Sequence, residues 1–167
     1  MTLTTEPERT GLDAVRFRGL LRRQASTVTV VTAPGEPPAG FTATSFTSVS
    51  LDPPLVSFCL NRGSSSWPAF ARAAHVAVHL LGAGQAAVAQ RFATSGIDRF
   101  ATPTAWRPGP HGVPVLDAAL AWLLCRVTER VVAGDHVVLL AEPLLGEHGD
   151  GDPLLYHDGG YTYLDTR

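Results

Sequence analysis

Hydrophobic positions in this chain fall mostly into short runs with the period of strands. Ser26 to Ala33, STVTVVTA, is almost wholly β-branched and predicts a strand. PGEPPAG follows as a turn. From Gly40 to Leu51 the apolar Phe41, Ala43, Phe46, Val49 and Leu51 interleave with threonines and serines, the alternation of a half-buried strand. PPLVSFCL (53–60), HVAVHLL (75–81), ALAWLLCRVTERVV (119–132) and HVVLLAEPLLGE (136–147) predict further strands, the last two joined by a tight turn at AGD. PLLYHDGGYTYL (153–164) reads as a hairpin around Asp158-Gly159-Gly160. Helical signals are confined to three places. Residues 12–24 put apolar side chains at 12, 15, 17, 20 and 21 with arginines opposite. SSSWPAF looks like a helix start, with serines available to cap and Pro68 in the first turn, and QAAVAQRFA (85–93) is a short helix. ATPTAWRPGPHGVP (101–114) predicts a long loop. Seven or eight strands against two or three short helices, with direct strand-to-strand turns, predict a mainly β chain: an antiparallel barrel with helical insertions.

Composition narrows the class. With 167 residues and 45% hydrophobic content, the chain reads as one domain over 13–167 behind a flexible tail at 1–12. That tail lacks the hydrophobic segment of a signal peptide. No uninterrupted apolar run approaches about 18 residues, which argues against a membrane span. The net charge of −2, without a Lys/Arg stripe, argues against nucleic acid. Cys59 and Cys125 both sit inside apolar runs, as buried free thiols of a reducing compartment do, so the cytoplasm is the expected location.

Three familiar chemistries are weak here. Gly82, Gly84 and Ala87 match a loose dinucleotide fingerprint, but no βαβ unit with a following acidic residue surrounds them, so the segment reads as a helix-start turn. His75 and His79 share a strand face about 13 Å apart, too far to hold one ion, and no HExxH or CxxC occurs. RGSSSW has the serines of a nucleophile elbow without its second glycine. What remains is a run of neutral hydroxyls. Thr42, Thr44, Ser45, Thr47, Ser48 and Ser50 stand on a strand and its turn, and Ser64, Ser65 and Ser66 precede a helix start. Such groups serve as caps and turns, or donate to a phosphate-bearing ligand. His136 opens a strand directly after a turn, a rim position.

GFTATSFTSVSLDPPLVSFCLNRGSSSWPAF, then DRFA, AGDHVVLLAE and PLLYHDGGYTYL in this order, closely resemble the short-chain flavin reductases, the reductase components of two-component flavin-dependent monooxygenases. The resemblance spans about residues 15–164. It implies a homodimer of six-stranded antiparallel split β-barrels that bind FAD or FMN. By position, Thr42, Ala43, Thr44 and Ser45, with Ser48, Val49 and Ser50, would line the isoalloxazine and ribityl chain. Cys59, Leu60 and Asn61 would run beside that chain, Ser64, Ser65 and Ser66 would hold the phosphate, and Phe92 and Phe100 would border the flavin. His136 matches the histidine beside the nicotinamide and Tyr161 a tyrosine near the same pocket. Two positions depart from the family pattern: Thr44 stands where Asn is frequent, and so does His79. The implied activity is hydride transfer from NADH, less readily NADPH, to a flavin that passes in reduced form to a separate monooxygenase. A flavin carrier or sensor without reductase activity, and an oxidase that retains its flavin, are the alternatives.

Overall fold

The computed structural model describes residues 11–164. Most of the expected tail lies outside the described residues; Gly11 and Leu12 are exposed. Asp13 caps the first helix, α1 (Ala14–Leu21), accepting at Oδ1 from the N–H groups of Val15 and Arg16 at 2.9 Å each. No residue of α1 is buried. There follow β1 (Ser26–Thr27), β2 (Thr29–Ala33), β3 (Ala39–Ala43), β4 (Thr47–Leu51) and β5 (Pro54–Asn61), then the one-turn helix α2 (Trp67–Phe70) and β6 (His75–Leu80). Gly82 to Gln85 form the turn that starts α3 (Ala86–Ala93), the Gln85 side chain accepting from Gly82 N–H at 2.9 Å. The rest is β7 (Trp106–Pro108), β8 (Pro114–Leu116), β9 (Ala121–Ala133), β10 (His136–His148), β11 (Leu154–His157) and β12 (Gly160–Tyr163).

The main sheet is antiparallel, in the order β3-β2-β6-β9-β10-β5-β4. This corrects the six-stranded barrel: the sheet has seven strands, and no ladder joins β3 to β4 among the described residues. The sheet is nevertheless strongly curled. Laid flat, seven strands would put the edges roughly 29 Å apart, yet β3 and β4 are joined by only Thr44, Ser45 and Phe46, which span at most about 14 Å. Phe41 on β3 and Phe58 on β5, five ladders apart, accordingly meet inside the curl with ring centroids 6.2 Å apart, and Phe70 stands edge-on to both. β11 and β12 pair with β1 in a separate three-stranded sheet, β1-β11-β12, whose Asp158-Gly159 turn has positive φ at both residues.

β2 is buried along its whole length because it is covered on both faces. Val31 and Ala33 pack into the curl, while Val30 packs outward with Ala89 and Phe92 of α3. Residues 101–114 are not wholly loop. β7 and β8 form a small ribbon whose Val115 packs on Trp122 and Leu124 of β9, because apolar side chains flank its Pro/Gly corner. Pro143, which would break a regular ladder, sits at a register shift of β10 against β9.

His79 ties the ribbon to the sheet. Its Nδ1–H donates to Val30 O at 3.0 Å, and its Nε2 accepts from Leu116 N–H at 3.0 Å. The ring is fully buried, and burial pushes its pKa down to about 4, against the opposing effect of the bond to Val30. The unfolded chain therefore takes up a proton near pH 6.5 that the folded chain refuses until about pH 4. The stability that the neutral ring contributes is complete above about pH 6.5 and is lost as pH falls toward 4, a swing of about 3 kcal/mol. Denaturant titrations from pH 7 to pH 4 should show this loss, and His79→Gln, which keeps a donor and an acceptor, should remove most of it. Parallel curves for the two proteins would assign the pH dependence elsewhere.

Candidate functional site

One cleft of about 610 Å³ opens where the two edges of the curled sheet approach each other. Its walls come from β3 and the bridge after it, from the end of β5, from the turn before α2, from the end of α3 and from the first residue of β10. Thr42, Ala43, Thr44, Ser45, Cys59, Leu60, Asn61, Ser64, Phe92 and His136 all line it. Antiparallel register accounts for part of this convergence, since His136 faces Asn61, Val137 faces Leu60 and Val138 faces Cys59 across the β5–β10 ladder.

The polar groups of the cleft are partly spent within the fold. Thr42 Oγ1 donates to Ala89 O at 2.6 Å, which pins β3 to α3. Ser45 Oγ accepts from Cys59 N–H at 2.9 Å, Ser64 Oγ from Ser66 N–H at 3.2 Å and Asn61 Oδ1 from Gly63 N–H at 2.7 Å. Each of these three oxygens is thereby fixed as an acceptor, leaving the Ser45 and Ser64 hydroxyl hydrogens and the Asn61 amide hydrogens to donate outward. No backbone–backbone hydrogen bond outside the ladders involves Thr44, Ser45 or Phe46 among the described residues. The bridge thus offers donors and acceptors to whatever fills the cleft, while Ala43, Leu60 and Phe92 supply apolar surface.

His136 stands at the rim, immediately after the Gly134-Asp135 turn of the β9–β10 hairpin. Its Nδ1–H donates to Asp135 Oδ1 at 2.7 Å. That bond, with the charge of the ring, holds the Asp135 carboxyl below the usual carboxylate range. In the neutral ring, Nε2 is left as an acceptor.

Several expected residues lie outside this wall. Ser48, Val49 and Ser50 are on the edge strand β4, past the bridge, with a bulge between Ser48 and Ser50. Ser65 is exposed. Ser66 is buried, its hydroxyl donating to Gly40 O at 3.0 Å and accepting from Arg99 Nη1 at 2.9 Å, so it is a structural link rather than a free donor. The helix it precedes is a single turn, too short to gather much dipole. Phe100 packs edge-on to Phe92 at 5.2 Å behind the cleft. Tyr161 belongs to β12, against Tyr156 and the outer core. His79, bound on both ring nitrogens in the core, has no part in the cleft wall.

Arg99 is the residue that pattern reading left unplaced. It lines the cleft, and its guanidinium donates from Nε to Thr94 O at 3.0 Å and from Nη1 to Gly40 O at 2.6 Å. Burial draws its pKa below the ordinary guanidinium value. A lone arginine in a polar segment carries no sign of which way it folds, so only the DRF of the resemblance pointed there. Ser66→Ala, which leaves Gly40 O and Arg99 each short of a buried partner, should destabilise the chain by about 1–3 kcal/mol in urea unfolding. Ser65→Ala, at an exposed neighbouring position, should be close to neutral. Equal effects would mean that the Ser66 link is not made.

A family model described as a flavin reductase like domain matches residues 21–165. An NADH:FMN oxidoreductase of Rhodococcus erythropolis is 45% identical over 158 residues, covering 91% of this chain and 82% of the relative. The reductase component of a 4-nitrophenol 4-monooxygenase/4-nitrocatechol 2-monooxygenase of Rhodococcus opacus is 39% identical over 154 residues, covering 92% and 82%. Among solved structures, the NADH:FAD oxidoreductase of Streptomyces globisporus, in complex with NAD and FAD fragments, superimposes with a TM-score of 0.88 at 33% identity, covering 92% of this chain and 94% of that one.

Proposed function

This chain belongs to the flavin reductase-like domain family, and we propose that it is an NADH-dependent flavin reductase whose reduced product goes to a separate monooxygenase. The observation that carries this reading is the convergence of Thr42–Ser45, Cys59–Asn61, Ser64, Phe92 and His136 on one cleft from stretches far apart in the chain. The cleft fits a flavin. Its 610 Å³ is within the range of small-molecule sites, its floor is apolar, and its free donors suit a ring edge of carbonyl and imine acceptors followed by a hydroxylated chain. Ser45, Thr44 and Asn61 would hold that ligand, and Ser64 and Arg99 would meet its phosphate end. In this reading the curled, unclosed sheet is the family's split barrel.

A bound flavin supplies the redox chemistry, accepting a hydride from C4 of a reduced nicotinamide. The residues contribute proximity, orientation and exclusion of water, so no side chain has to act as acid or base. His136 orients. With Nδ1–H held by Asp135, its Nε2 can accept a hydrogen bond from the nicotinamide carboxamide at the cleft's mouth. The Rhodococcus opacus relative, a monooxygenase reductase component, supports the onward passage of reduced flavin. Cys59 and Cys125, both free, suit the reducing cytoplasm. No helix among the described residues is long and apolar enough to cross a membrane.

The working unit is a homodimer. α1 buries none of its own residues, and Val15, Leu20 and Leu21 on it stay exposed, as do Val131 and Val132 near the hairpin tip. A second copy would cover such surface. Light scattering should give twice the 17.7 kDa chain mass at micromolar concentration. A stable monomer there would dismiss the dimer.

Two kinetic measurements test the activity. In stopped flow, a catalytic amount of protein should bleach excess flavin at the expense of NADH. No reaction would leave a flavin carrier, and a single turnover would leave an oxidase that retains its flavin. His136→Ala should keep flavin binding nearly intact while kcat/KM for NADH falls roughly 10- to 100-fold, the worth of one orienting contact. Loss of flavin binding in that variant would move the histidine into the flavin site, and unchanged kinetics would make it a solvated turn residue.

A further inference from the structure

The cleft does not end at Arg99. The same side chain lines a second hollow, of about 310 Å³, whose walls include Pro37, Pro38, Ile97, Asp98 and Phe100. Ser65 and Ser66 border this hollow and Ser64 the cleft, so the two spaces meet along one short stretch of backbone with the guanidinium between them.

Arg99 is held from behind and left open in front. Its Nε and Nη1 are taken by Thr94 O, Gly40 O and Ser66 Oγ, all neutral acceptors. No ion pair to Arg99 forms among the described residues, and Nη2 donates to none of them. Nη2 is also not sealed in, since every buried side-chain nitrogen and oxygen among the described residues has a partner. A fixed, partly desolvated cation whose Nη2 alone is open is an anion site in need of its anion, and the two Nη2 hydrogens can donate to phosphate oxygens.

The far hollow has different chemistry. Pro37, Pro38, Ile97 and Phe100 give it apolar walls, and Ile97 is 44% exposed. Its one acidic group is Asp98, whose Oδ1 accepts from Phe100 N–H at 3.0 Å, leaving Oδ2 as an acceptor. Apolar walls with a single carboxylate suit a flat, uncharged ring that carries an exocyclic amine. They do not suit a second phosphate. Adenine is such a ring, with N6–H₂ as its donor.

We propose that the hollow takes the adenosine end of FAD, with Arg99 on the diphosphate that precedes it, so that this chain prefers FAD to FMN. The proposal rests on the flavin reading of the cleft. The Asp98 carboxylate is kept from the phosphates by standing in the hollow, outside the cleft wall.

Equilibrium titrations of the full chain with FAD and with FMN, followed by flavin fluorescence, test it. FAD should bind about tenfold more tightly or better. Ile97→Glu, which sets a second carboxylate in the hollow's wall at an exposed position, should weaken FAD by about tenfold and leave FMN within about twofold. Thermal melting of the variant checks that it is folded, and Ile97→Asn, milder in charge, should show a smaller effect of the same kind. Equal affinities for the two flavins, or FAD binding untouched by Ile97→Glu, overturn the proposal while the flavin reading stands. If instead Ile97→Glu spares FAD and raises the Kd for NADH, the hollow serves the adenylate of the nicotinamide cofactor, and the assignment to FAD is wrong. If neither flavin binds the wild-type chain, the reading of the cleft falls and this inference with it.

Discussion

The carbonyl oxygen of Gly40 is the point on which the cleft hangs. It accepts from Ser66 Oγ at 3.0 Å and from Arg99 Nη1 at 2.6 Å, and those two donors are bonded to each other. Three segments that would otherwise move independently are joined there: the β3 edge, the turn into α2, and the stretch after α3. Glycine gives the close approach that this position needs. A Cβ at position 40 would come within 2.8 Å of the Phe92 ring and 3.2 Å of Val31 O, so the buried ring and the β2 backbone would have to give way. One missing methyl group therefore lets α3 close onto β3 and lets Phe92 reach the cleft wall.

The second constraint is the length of the bridge between β3 and β4. Because three residues must connect opposite edges of a seven-stranded sheet, the sheet curls and presents its two edges side by side. Edge strands normally carry unpaired backbone groups that invite aggregation. Here the bridge between two edges becomes part of the cleft wall, where Thr44 and Ser45 face the cleft. The hydroxyls between Thr42 and Ser66 are thus divided in their work. Thr42 and Ser66 hold the frame together, Ser45 and Ser64 hold their oxygens inward and their hydrogens outward, and Ser48 and Ser50 stay on the far edge.

Much of this was legible beforehand where local pattern decides the outcome. The strand at 29–33, the Gly134-Asp135 turn that delivers His136, and the Asp158-Gly159 hairpin all follow from side-chain shape and backbone preference, whereas the break at Val28 that sends Ser26–Thr27 to a second sheet does not. The ribbon at 106–116 was not legible, because its strands are three residues long and broken by prolines, and only packing against Trp122 and His79 makes them strands. The same holds for the hydroxyls. Nothing local distinguishes Ser66, which is buried and doubly bonded, from exposed Ser65 beside it. The described residues hold twelve strands where the pattern predicts seven or eight, because the runs 26–33 and 40–51 each break into two strands and the ribbon adds β7 and β8. The break at Thr44–Phe46 is the one that gives the main sheet its seventh strand.

The strand order carries a consequence for how the molecule comes to exist in time. β2, β3 and β6 form one half of the main sheet and β4 and β5 the other, and what joins them is the β9–β10 hairpin, inserted between β6 and β5. That hairpin leaves the ribosome after every strand it joins. Until it docks, the two halves are linked only by chain, and the contacts that define the curl are of long sequence separation, which slows folding. The cleft lies where the two outer edges approach, which requires the hairpin to have joined the halves, and His136 is part of the hairpin itself. A partly synthesised chain thus has the hydroxyls but not the pocket. Competence to handle a reactive redox ligand arrives only once residues 121–148 have joined the two halves.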